Sequence, residues 1–180
     1  MRLAEEKKIV LVASALDLNG ADPQTTKGIN MKGFHRCTFL IDVGTMGVAN
    51  ATLKVHSGAT DGALTSTVAF KYAYGGATSI HGSTGTSSDV LAAETTVVAG
   101  TGLVITQATY PNYLLAIEVE ATMMDVANGE NWLMISFTTG TSTGLVSIFA
   151  VLDPRYTKNL SATALSPNNQ GRSSGRPTTK

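Results

Sequence analysis

Apolar and polar residues alternate with a period of two along most of this chain, and that pattern restricts it to β-structure. In Arg36-Cys37-Thr38-Phe39-Leu40-Ile41-Asp42-Val43 the side chains of Cys37, Phe39, Ile41 and Val43 fall on one face, while Arg36, Thr38 and Asp42 fall on the other. Ala51-Thr52-Leu53-Lys54-Val55-His56 repeats the device, with apolar residues at its odd positions. Further strands are predicted over Lys8–Ala15, Thr65–Tyr74, Thr95–Val98, Leu103–Gln107, Tyr113–Glu120, Trp132–Thr138 and Leu145–Leu152, about nine in all, each bounded by Gly, Asn, Asp, Ser or Thr. Beyond the extreme N-terminus no segment carries apolar residues at helical spacing, and Asp89–Glu94 is expected to form one helical turn at most. Short strands joined by Gly-rich turns imply an all-β chain, a single β-sandwich or jelly-roll-like domain.

A length of 180 residues suits one core and is short for two. Pro154 cannot donate to a ladder and closes the last strand, so the domain is expected to span 9–156, between an N-terminal arm, 1–8, and a C-terminal tail, 157–180. The tail has too few large apolar residues to offset its own ordering entropy and is expected to be flexible. Charged residues make up only 14% of the chain and the formal net charge is zero, which argues against bulk binding to nucleic acid or to a charged membrane. The charge is uneven, however: residues 1–153 carry 8 Lys/Arg against 13 Asp/Glu, and all five charges beyond them are basic. A single cysteine, Cys37, excludes an internal disulfide and multi-cysteine metal sites. The Lys7–Ala15 stretch resembles a signal peptide, but Glu5 and Glu6 spoil its basic region and its apolar run is short, so it is read as a first strand. No apolar run approaches the ~20 residues of a membrane helix, and a soluble protein is expected.

Motifs that would carry chemistry lack their context. Gly140-Thr141-Ser142-Thr143-Gly144 matches a hydrolase nucleophile motif, which requires a strand-to-helix turn, yet here it joins two strands and reads as a hairpin loop. His35, His56 and His81 are isolated, with no metal-ligand spacing. Asp17–Asp22 lacks the glycine and glutamate of a calcium loop and reads as an Asn-Gly turn. Glu118 and Glu120 share a strand face in the manner of ordinary solvated residues. No catalytic residue, metal or cofactor is therefore expected. Trp132 with Tyr72, Tyr74, Tyr110 and Tyr113 offers one alternative, a sugar-stacking platform on a carbohydrate-binding sandwich.

Leu145-Val146-Ser147-Ile148-Phe149-Ala150-Val151-Leu152 is apolar on both faces, so it should lie centrally in a sheet or have one face covered by another protein. With the low charge, this predicts self-association, as a trimer. Several segments together resemble the small β-sandwich head proteins of tailed bacteriophages that decorate or cement the capsid. They are Phe39–Gly44, Ala51–Gly58, Tyr113–Val119 and the closing Ser147-Ile148-Phe149-Ala150-Val151-Leu152-Asp153-Pro154-Arg155-Tyr156, within a likeness that covers about residues 8–158. The long Gly75–Asp89 loop and the basic tail stand outside it. The resemblance implies a non-enzymatic virion protein on the outer face of the capsid, with the major capsid protein as partner, often as a homotrimer. Arg155, Tyr156, Lys158, Arg172, Arg176 and Lys180 are the candidate capsid or inter-subunit contacts.

Overall fold

The longest alternating segment becomes the longest strand, and the fold is arranged around it. The computed structural model describes residues 6–19, 23–47, 50–75, 91–106, 113–139 and 144–155. Twelve strands run through these residues: β1 (Lys8–Asp17), β2 (Gln24–Thr25), β3 (Ile29–Asn30), β4 (Phe34–Met46), β5 (Ala51–Gly58), β6 (Ser66–Val68), β7 (Phe70–Gly75), β8 (Thr95–Val97), β9 (Leu103–Ile105), β10 (Tyr113–Glu120), β11 (Trp132–Thr139) and β12 (Gly144–Pro154). Two single-turn 3-10 segments, Ala121–Met123 and Val126–Asn128, link β10 to β11. The first sheet has the order β1-β12-β4-β10-β7-β8; in the second, β11 and β5 pair centrally, flanked by β2 and β3 on one side and by β6 and β9 on the other. All pairings are antiparallel, and the two sheets pack as a β-sandwich.

The inner face of the first sheet is Phe39, Ile41 and Val43 of β4, Leu115, Ile117 and Val119 of β10, and Val146, Ile148, Ala150 and Leu152 of β12. It meets Leu53 and Val55 of β5 and Leu133, Ile135 and Phe137 of β11. All are buried, and each large side chain contributes about 1.5–3 kcal/mol on leaving water. At Gly58 a Cβ would lie 2.0 Å from the carbonyl oxygen of Ala63, so only glycine lets the following loop fold back this closely.

Three expectations need correction. The Thr65–Tyr74 segment is two strands in different sheets, β6 in the second and β7 in the first. Val68 and Phe70 both point into the core from opposite sides, so the alternation runs unbroken through the crossing at Ala69. β2 and β3 had no sequence signal, being two residues each; both pair with β11, and Thr26 between them continues the ladder by accepting the Ile135 N–H on its hydroxyl at 3.0 Å. Residues 91–94, the described part of Asp89–Glu94, are extended rather than helical, with Leu91 bridged to Gly75 and the Ala92 N–H on the Tyr74 carbonyl at 2.7 Å. Lys8 opens β1, where the first strand was predicted to begin, and Lys7 just before it is ion-paired to Asp153.

Candidate interaction surface

The outer face of the first sheet is read from its register, because residues paired across antiparallel strands project to the same side. One row crosses five strands as Leu11, Phe149, Leu40, Ala116 and Ala73. The next row begins with Ile9, Val151 and Thr38 and turns charged at Glu118 and Lys71. The result is an apolar band that widens toward β1. Ile9, Leu11, Leu145 and Phe149 stand 47%, 57%, 53% and 42% exposed, although the core on the other side of the same strands is complete. The two-faced character of Leu145–Leu152 has a plain outcome: β12 lies between β1 and β4, its even positions fill the core, and Leu145 and Phe149 remain in solvent.

A charged row bounds this band at one end. Arg36 and Asp153 face each other across β4 and β12, with Arg36 Nε and Nη2 donating to Asp153 Oδ2 at 2.8 and 2.6 Å. Lys7 Nζ donates to the other carboxylate oxygen, and Glu118 lies 3.9 Å from Arg36. Burial works against the Asp153 carboxylate, but its hydrogen bonds to Lys7 and Arg36 and the charges of both outweigh burial and hold it below the usual carboxylate range. The hydrogen bond to Asp153 likewise raises Arg36, against an opposing desolvation. Cys37, next in β4, is buried, and that burial, then the Asp153 charge, pushes its thiol up and away from reactivity.

Of the six candidate contact residues, Arg155 alone lies within the described residues; Tyr156, Lys158, Arg172, Arg176 and Lys180 lie outside them. Arg155 spends part of its bonding capacity on the fold, its backbone N–H on the Gly33 carbonyl at 2.9 Å and its Nε on the Phe34 carbonyl at 3.1 Å. The Gly140–Thr143 part of the serine motif, His81 and Tyr110 also lie outside the described residues. Asp17 Oδ1 accepts the Asn19 N–H at 2.9 Å, an Asx turn. Glu118 and Glu120 share the outer face of β10, where Glu120 is opposite Arg36 and Glu118, opposite Thr38, lies diagonally 3.9 Å from the Arg36 guanidinium.

Among the described residues, the aromatic side chains named for a platform fall on two different sheets. Tyr72 and Tyr74 of β7 and Tyr113 of β10 pack together on the inner side of the first sheet, with ring centroids 6.4 and 5.7 Å apart along the cluster. Trp132 belongs to the second sheet and projects to the side opposite the core residue Leu133, against Gly28. A shallow depression of about 290 Å³ lies on this second sheet, lined by Thr25, Thr26, Lys27, Asp61 and Gly62, with Asp61 already accepting the Gly28 N–H at 2.6 Å.

Two polar pairings escaped the sequence reading. His56 Nε2 lies 2.9 Å from Ser136 Oγ; desolvation, then the nearby Lys54 charge, lowers the imidazole, and Ser136 is buried, so the pair links β5 to β11 rather than presenting a nucleophile. Glu130 is buried and accepts hydroxyl bonds from Ser57 at 2.5 Å and Ser66 at 3.0 Å, joining β5 and β6 to the turn before β11. Neither partner set has a sequence spacing that would mark it. Among the described residues no group of three or more His, Cys, Asp or Glu side chains is placed to hold a metal ion. Comparison with protein families, curated proteins and solved structures finds no match for this chain.

Proposed function

We propose that this protein is a structural subunit that binds the outer surface of an assembled phage capsid through the outer face of its first sheet and braces neighbouring capsomers. The observation that supports this reading is the exposed apolar cluster of Ile9, Leu11 and Phe149, with Leu145 exposed on the same face beyond Ser147, set on strands whose other face already completes the core. Exposed apolar surface of this kind gains by leaving water against another protein. A rigid sandwich presents it without an ordering cost, as a lattice-binding subunit requires. The resemblance of the closing Ser147–Tyr156 segment to capsid decoration proteins supplies the kind of partner, the major capsid protein.

The test uses full-length protein and undecorated capsids of the tailed phage that, on this reading, encodes it. Wild-type protein should co-sediment with them. The double variant Leu145→Asp/Phe149→Asp should lose at least tenfold in occupancy while keeping its thermal midpoint, because both side chains are exposed in the free protein. Failure of the wild type to co-sediment, or full binding by the double variant, would overturn the proposal.

A further inference from the structure

Among the described residues β1 is the edge of the first sheet, paired with β12 on one side and with no strand on the other. Natural edges are blunted by bulges, prolines, charges or short length. The second half of β1 is treated in this way: its register slips between Leu11 and Ala13 and again between Ala13 and Leu16, and Ala15 sits at a φ of +46°. The first half carries Lys8 at its start and no bulge or proline from there to Leu11. Lys8 to Leu11 pair with Leu152 to Phe149 in unbroken register, and Ile9, Val10, Leu11 and Val12 are four apolar, mostly β-branched residues in a row. Ile9 and Leu11 project to the outer face about half exposed, beside Val151 and Phe149.

The geometry points to a second copy of this chain as the occupant of that edge, paired through its own β1 about a two-fold axis at Val10. In that antiparallel register Ile9 faces Leu11 of the second copy and Leu11 faces its Ile9. Four exposed apolar side chains then form one cross-strand cluster between the two Phe149 rings. No lysine meets a like charge in this register, and its regular part is Ile9–Leu11, between Lys8 and the first bulge, which falls at Val12. Ile9, Leu11 and Phe149, each about half exposed, supply on the order of 100 Å² apiece, under half of the ~800 Å² per partner of a standard interface. Such an area fits a weak, reversible pairing rather than a permanent dimer. An isologous pairing closes at two copies, in place of the trimer that the family resemblance implies. The inference stands on the edge strand and does not depend on the capsid reading.

The experiment is sedimentation or light scattering of the full chain from about 1 to 100 μM, with no capsid present. A monomer–dimer equilibrium is expected. Leu11→Lys should weaken it at least tenfold, whereas Val104→Lys, an equally exposed substitution on β9 of the other sheet, should leave it unchanged. Val10→Cys reads the axis directly: residues opposite one another across antiparallel strands have Cα atoms about 4.5–5.5 Å apart, within disulfide range. Because Cys37 is buried, the introduced thiol alone should give a disulfide-linked dimer under mild oxidation, and Leu145→Cys should not. A strict monomer at 100 μM, a trimer, or cross-linking through Leu145→Cys in preference to Val10→Cys would overturn the proposal.

Discussion

Asp153 shows how much one side chain can tie together, because its carboxylate joins β12 to β4 through Arg36 and to the start of the chain through Lys7. Asp153→Asn leaves two cations facing a neutral amide, and since Lys7 and Arg36 are both partly solvated the expected loss is about 1–3 kcal/mol, read from denaturant unfolding. The sign with pH follows from the lowered carboxyl. Its contribution is complete above the unfolded value of about 3.9 and is lost as pH falls through the lower folded value, so stability from this group stays flat at neutral pH and declines only in strong acid. The variant should lack that part of the decline. Ala15 is the opposite case, an alanine in the left-handed region, where an L side chain is strained by roughly 1–2 kcal/mol. Ala15→Gly should raise stability by about 0.5 kcal/mol once glycine's larger unfolded-state entropy is set against the relief, visible as a small rise in thermal midpoint.

Among the elements, β10 runs over the residues that its alternation marks, while β6 and β7 do not separate in the sequence, because both send even-numbered residues into one core from opposite sheets. β2 and β3 are held by β11 and by Thr26 rather than by any pattern of their own. Thr26→Val keeps the shape but orphans the buried Ile135 N–H, at an expected cost of about 1–3 kcal/mol, with faster amide exchange at Ile135. The link from β5 to β11 carries its own pH signature. His56 is lowered in the folded protein, so the stability it contributes is present above the unfolded value of about 6.5 and is lost as pH falls below it; His56→Gln should flatten that region of the profile.

For the molecule as a whole, residues 1–153 are acidic and the chain beyond Tyr156 carries Lys158, Arg172, Arg176 and Lys180, so on the capsid reading the tail should add a salt-sensitive attraction to an acidic lattice surface. A chain ending at Tyr156 should bind undecorated capsids several-fold more weakly at low salt and equally at high salt; equal occupancy in both would remove the tail from the contact. The β class, the single sandwich and most of the core were legible in the sequence, because a strand's period of two is a local property and the inward set Phe39, Ile41, Val43, Leu115 and Ile117 is written residue by residue. Local pattern also marked Leu145–Leu152 as apolar on both faces. It carried no information on which strand would lie beside β12, and so none on whether the second face would be covered. Tertiary structure decided that, by setting β12 between β1 and β4 with Leu145 and Phe149 outward. It also brought Lys7 and Arg36 to Asp153, Ser57 and Ser66 to Glu130, and Ser136 to His56, and it divided the tyrosines from Trp132. Each of these joins residues far apart in the chain, where sheet order and register, rather than sequence spacing, set which side chains meet.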